Sequence, residues 1–270
     1  MLKDEQPIGI FDSGIGGLTV AHAIKELLPN EQLLYFGDTA HLPYGDKEPY
    51  SIKHYSVEIA KFLLEKKAKV IVMACHTASS IAFEEVKRVI GNRAIVLNVV
   101  DPIIESLKTL KNEKHKIGVI GTKGTINSKV YPRKIKSLYQ NLEVSALATP
   151  LLCPMIEEGF IDDRISQAVI DSYLGENCLK QISHIVLACT HYPLIKKQIA
   201  AYYQNQVRVI DPAEEVAQLV KSTLSEKGLC RMKSDPEHHF FVSDFTQSFE
   251  KSTRFFFGEK VKLEKGSIWS

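Results

Sequence analysis

The chain is 270 residues long with a mass of 30.3 kDa, room for one large domain or two of ordinary size, and this excludes a short disulfide scaffold. A hydrophobic fraction of 44% beside 24% charged residues matches soluble globular chains and excludes global disorder or a fibrous repeat. Lys and Arg number 34 against 32 Asp and Glu, a net charge of +2 that is too balanced for the basic field by which proteins hold nucleic acid.

In chain order, short apolar runs at Ile8 to Phe11, Leu33 to Phe36, Val70 to Ala74 and Ala94 to Val99 read as strands buried on both faces. Helical stripes lie between them: Val20, Ile24, Leu27 and Leu28 before Pro29; Ile52, Tyr55, Ile59 and Phe62; and Ala78, Ala82, Val86 and Val89 before Gly91. Strands alternating with helices of this length predict a mostly parallel sheet, with ligands bound beyond the carboxyl ends of the strands. The pattern then restarts. Ile8 to Gly14, Val70 to Thr77 and Val100-Asp101-Pro102 are echoed by Ile117 to Lys123, His184 to His191 and Ile210-Asp211-Pro212, each about 110 residues later and in the same order. An internal duplication follows, with one α/β half over 1–100 and a second over 101–210. Each Asp-Pro pair is expected to start a helix, Asp capping it and Pro at its first position. From 211 onward a helix bearing Val216, Leu219, Val220 and Leu224, then strands at His239 to Val242 and Val261 to Leu263, are expected to pack back on the first half.

There is no apolar run of membrane-spanning length, and the acidic start is unlike a signal peptide, so a cytoplasmic protein with no membrane partner is expected. Cys75, Cys153, Cys178, Cys189 and Cys230 are odd in number and unpaired in spacing, which disfavours disulfides. Cys75 and Cys189 each follow a buried strand where a helix is expected to begin, a setting that favours an anion and lowers a thiol pKa by roughly one unit. Cys153, Cys178 and Cys230 lack that setting and read as packing residues. Duplicated halves meeting face to face would bring Cys75 and Cys189 to opposite walls of one cleft. Two thiols so placed suit inversion of a carbon stereocentre, one removing a proton from one side while the other returns one from the opposite side. The loop from Asp12 to Leu18 offers amides for an anion such as a carboxylate, but it matches neither G-x-G-x-x-G nor a P-loop.

Taken together, Asp12-Ser13-Gly14-Ile15-Gly16-Gly17-Leu18-Thr19-Val20, Pro43-Tyr44-Gly45, Ala74-Cys75 with Thr77-Ala78-Ser79, and Ala188-Cys189-Thr190-His191-Tyr192-Pro193-Leu194 resemble the glutamate racemases, a family of bacterial cell-wall synthesis. The resemblance runs through nearly the whole chain. It implies two α/β domains with the 211–270 tail completing the first, a homodimer, no cofactor and no metal, and interconversion of L- and D-glutamate. By it, Cys75 would take the α-proton from the D enantiomer with help from Asp12, and Cys189 from the L enantiomer with help from His191 and Glu157. Asp12, Ser13, Pro43, Tyr44, Gly45, position 76, Thr77, Thr190 and His191 would hold the substrate. His76 stands where the family usually has Asn, and an imidazole there brings an extra base that can become cationic.

Three rival readings use the same residues. Cys75, His76, Cys189 and His191 carry the soft atoms zinc prefers, although adjacent Cys75 and His76 are poorly spaced to share one ion. A hinged receptor would bind a small polar ligand without exchanging its protons. An aspartate racemase-like enzyme would differ in the size of its pocket.

Overall fold

A computed structural model describes residues 2–110 and 114–269. The strands β1 (Ile8–Asp12), β2 (Leu33–Gly37), β3 (Val70–Met73) and β4 (Ile95–Asn98) lie parallel in the order β2-β1-β3-β4. The strands β5 (His115–Gly121), β6 (Leu142–Ala148), β7 (His184–Ala188) and β8 (Arg208–Ile210) make a second parallel sheet in the order β6-β5-β7-β8. In each half the second strand lies on one side of the first and the third and fourth follow on the other, so the two halves share one strand order. Two further strands, β9 (His239–Val242) and β10 (Leu263–Lys265), add to the first sheet beside β2, so the tail completes a six-stranded sheet.

Period-2 alternation explains why these strands read as unbroken apolar runs. On the first sheet Ile8, Ile10, Val70 and Val72 face one apolar layer, while Phe11, Ile71 and Met73 face another. On the second, Ile185 and Leu187 share the first of those layers, and Ile117, Val119 and Val186 face a third. Full burial of each such side chain stabilises by about 1.5–3 kcal/mol. The strand at Ile95–Asn98 departs from the expectation of burial on both faces, because it forms the edge of its sheet and Ile95, Val96 and Leu97 remain partly exposed.

The helices are α1 (Leu18–Leu27), α2 (Pro49–Glu65), α3 (His76–Ile90), α4 (Val100–Ser106), α5 (Lys123–Asn127), α6 (Val130–Leu138), α7 (Leu152–Glu157), α8 (Arg164–Leu174), α9 (Lys196–Tyr202), α10 (Pro212–Glu226) and α11 (Gln247–Phe257). The stripes of α1 to α3 bury Val20, Ile24, Ile52, Ile59, Ala78, Ala82 and Val86. The tail helix α10 does the same with Val216, Val220 and Leu224, and it packs on α1. Asp211 caps α10 with Pro212 next to it, as the sequence requires. Asp101-Pro102 behaves differently. There α4 begins at Val100, and the Asn98 side chain accepts from the N–H groups of Val100 and Asp101, taking the capping role one turn earlier. The last strand lies two residues beyond the expected Val261 to Leu263. The helix α11, capped by Thr246 and closed by Gly258 at φ 81°, was not expected.

Candidate active site

All strands of both sheets run parallel, so each sheet gathers its strand-end loops along one edge, and these two edges enclose a single cavity of about 280 Å³. That is the small end of ligand sites, which start near 300 Å³ and reach about 1,000 Å³. The first sheet contributes the loops after β1, β2 and β3. The second contributes those after β5, β6 and β7.

The first wall presents Cys75, with Asp12 buried behind the residues that line the cavity. Asp12 ends β1, is 1% exposed, and accepts the Gly14 N–H at 3.0 Å and the Thr190 hydroxyl at 3.5 Å. Burial raises its carboxyl pKa, opposed by the charge of His191 and the amides of Gly14, Gly17 and Ser13. The anion that the Gly-rich loop serves is therefore the chain's own Asp12. Cys75 caps α3, its sulfur accepting the Ala78 N–H at 3.4 Å while its thiol donates to Ser13 Oγ at 3.5 Å. Burial and then the Asp12 carboxylate push this thiol up to about 12. The expected lowering by the helix terminus is thus reversed, because a terminus contributes at most ~2 kcal/mol and the thiol is taken out of water beside an acid.

The second wall is built on Cys189 and His191. Cys189 follows β7 but starts no α-helix. A 3-10 turn from Tyr192 to Ile195 precedes α9, and the Thr19 hydroxyl of the first half donates to the Thr190 carbonyl at 3.0 Å. Burial, reinforced by the Cys153 sulfur, holds the Cys189 thiol well above its ordinary value. His191 is 3.7 Å from Cys189 through Nδ1 and 2.9 Å from Glu157 Oε1 through Nε2. Burial works against its charged form, but the bonds to Cys189 and Glu157 outweigh it and hold the imidazole up at about 10.

Gly16 is what lets the walls approach. A Cβ there would lie 2.4 Å from His191 Cε1, 2.5 Å from its Nδ1 and 2.6 Å from Thr190 Oγ1. Gly16→Ala must therefore displace the His191 ring. Misplacing a catalytic group by about 1 Å costs on the order of a hundredfold in rate. The expected result is a ten- to hundredfold loss of turnover with little change in melting temperature. Unchanged turnover would show that the ring's position is not limiting.

Ser13, Pro43, Tyr44, Gly45, His76, Thr77, Thr190 and His191 all line the cavity. Tyr44 donates to Asp38 Oδ2 at 2.6 Å, and Asp38 also accepts from Ser243 and Trp269, so the tail fixes the Tyr44 ring. Thr77 bonds Thr122 at 2.8 Å across the cleft. His76 Nδ1 pairs with the Tyr131 hydroxyl at 2.8 Å, and its Nε2 is buried with no partner among the described residues. Burial pushes this imidazole down to about 3, so the cationic form considered from the sequence is the one the fold disfavours.

A pH dependence follows from that shift. The unfolded chain takes up a proton on His76 near 6.5 and the folded chain near 3. The stability from keeping this ring neutral is present above ~6.5 and is lost as pH falls toward 3, at up to about 1.4 kcal/mol per pH unit. His76→Asn should lose correspondingly less stability than the parent in urea unfolding between about pH 6 and about pH 4. Equal losses would show that His76 accepts its proton inside the fold.

The four zinc candidates read from the sequence do not gather, because Cys75 and His76 are engaged with Ser13 and Tyr131. Among the described residues, the group with metal-ligand spacing is Cys153, Cys189 and His191, whose ligand atoms lie within 4.8 Å of one another. Cys153 is the main residue that sequence reasoning missed. Read as packing, it stands in the cavity lining 3.2 Å from Cys189. Cys178, read in the same way, is exposed. Thr122 and Asp38 were missed as well. Thr122 had a signal, since it occupies in the second half the place that Ser13 holds in the first.

The family model for Asp/Glu/Hydantoin racemases matches residues 16–220. A glutamate racemase of Chlorobaculum parvum is 42% identical over 261 residues, covering 96% of this chain and 95% of that protein. One of Geobacter metallireducens is 40% identical over 255 residues, covering 94% and 93%. The crystal structure of glutamate racemase from Francisella tularensis in complex with D-glutamate superposes with a TM-score of 0.92 at 36% identity, covering 98% of each chain.

Proposed function

The chain belongs to the Asp/Glu/Hydantoin racemase family, and from that premise we propose that it interconverts L- and D-glutamate by a two-base mechanism that requires no cofactor. One observation carries the mechanism: the buried Cys75 and Cys189, from equivalent loops of the two sheets, line one small cavity. In the L to D direction the Cys189 thiolate takes the α-proton as the Cα–H bond breaks, and the Cys75 thiol delivers its proton to the opposite face. The two sulfurs exchange states, and the reverse reaction begins from there.

Both thiols are held neutral by burial, so ionisation must accompany substrate binding. The substrate's α-ammonium brings a cation to the buried Asp12 and Cys75 and lowers the cost of charge on that wall. On the other wall, His191 with Glu157 behind it stabilises the Cys189 thiolate. Thr77, Thr190 and Ser13, with His76 beside them in the lining, are suited to the α-carboxylate as charge builds on it, and Pro43, Tyr44 and Gly45 close the space around it. The product D-glutamate would serve peptidoglycan synthesis, in a cytoplasmic homodimer. Among the described residues, no helix is long and apolar enough to cross a membrane.

The test is racemisation of each enantiomer in heavy water. Deuterium at Cα is expected in the newly formed enantiomer from either starting hand, with no added cofactor. Ligand binding without exchange would overturn the reading and favour a receptor.

A further inference from the structure

We propose that Cys153, Cys189 and His191 form a binding site for a soft divalent cation, best fitted to zinc, and that the bound ion inhibits the enzyme. Tetrahedral zinc takes sulfur at about 2.3 Å and imidazole nitrogen at about 2.0–2.1 Å, so two sulfurs on one ion lie about 3.8 Å apart and a sulfur and a nitrogen about 3.6 Å apart. The observed separations are 3.2 Å between Cys153 Sγ and Cys189 Sγ, and 3.7 Å between Cys189 Sγ and His191 Nδ1. Admitting the ion therefore needs about half an ångström of opening between the sulfurs, while Cys153 Sγ and His191 Nδ1, which lie within 4.8 Å, close by up to about 1.2 Å. Cys153 lies near the start of the short α7 and is itself only partly buried.

Two features distinguish this cluster from sulfurs that merely pack. All three side chains line the cavity, which leaves a fourth coordination position for a water molecule. The far nitrogen of His191 is already paired with Glu157 at 2.9 Å, the carboxylate support that zinc-binding histidines commonly have. Two sulfurs and an imidazole select against magnesium and calcium, which prefer oxygen. As the Zn–S and Zn–N bonds form, the two thiol protons and the proton held on His191 Nδ1 leave to solvent. The inhibitory part rests on the role proposed for Cys189, whereas the binding part stands without it.

The test titrates cobalt(II), then zinc, into reduced, chelator-stripped protein. One cobalt per chain is expected, with thiolate-to-metal charge-transfer absorption that zinc abolishes. Cys153→Val should weaken binding at least tenfold, and Glu157→Gln should weaken it ten- to hundredfold. Cys75→Ser keeps all three ligands and should bind as the parent does, so the site is scored even in a protein without turnover. Zinc should inhibit the parent reversibly to chelator, and Cys153→Val, measured against its own metal-free rate, should need at least tenfold more. Absence of charge-transfer absorption, or equal binding and equal zinc sensitivity in the parent and Cys153→Val, would overturn the proposal.

Discussion

Cys75→Ser and Cys189→Ser are each expected to lose inversion of both glutamate enantiomers, with kcat/KM lower by about 10²–10⁴, the range a positioned acid or base contributes. Each direction needs one sulfur as base and the other as acid, so neither variant can spare the missing partner for one hand of substrate only. Proton exchange should separate them. With Cys75 intact, Cys189→Ser can still remove the α-proton of D-glutamate and return a deuteron to the same face, labelling D-glutamate without inverting it. With Cys189 intact, Cys75→Ser should label L-glutamate in the same way. Full racemisation by either variant would refute the two-base assignment, and label in the opposite enantiomers would exchange the roles of the walls. Serine is a sharp substitution here because a hydroxyl is far harder to ionise than a thiol. The site already strains to ionise a thiol, with Cys75 pushed up to about 12.

That Cys75 and Cys189 share one cavity was legible in the sequence because it is written in local signals. An apolar run ending in Cys75, a second ending in Cys189 and a common order of echoes place both sulfurs at strand ends, and parallel sheets send strand ends to one edge. What depends on neighbours distant in sequence was not legible. Cys153 follows no strand directly. It reaches Cys189 only because the crossover after β6 folds α7 over the end of β7. The thiol pKa was read with the wrong sign for the same reason, since a helix terminus is visible in sequence and burial beside Asp12 is not. Asp38 gathers Tyr44, Ser243 and Trp269 from three separated stretches, and nothing near Asp38 announces it. The missed α11 did carry signals, Thr246 at its start and Gly258 past its end. Its aromatic-rich, partly exposed face obscures the apolar stripe that revealed the other helices.

The opposite edge of the first sheet holds the largest stability effect. Lys69 immediately precedes β3 and is fully buried. Its ammonium donates to Glu31 Oε2 at 2.6 Å, to the Asp4 carbonyl at 2.6 Å and to the Leu229 carbonyl at 2.9 Å. Glu31, 2% exposed, also accepts the Arg231 N–H at 2.8 Å, so this one ion pair ties the chain start, β3 and the segment after α10 together. Lys69→Met removes one charge and leaves the Glu31 carboxylate buried without its counter-ion, which costs about 3–5 kcal/mol. Lys69→Met combined with Glu31→Leu removes both charges and should recover a large part of that loss, because the penalty of the single change lies mostly in the stranded carboxylate. Urea unfolding of the parent, the single and the double variant measures this directly. Because β3 carries Lys69 before its first residue and Cys75 beyond its last, the folded fraction of Lys69→Met should turn over as the parent does. A double variant no more stable than the single would show that the two carbonyls and the Arg231 amide, rather than the paired charges, make this junction.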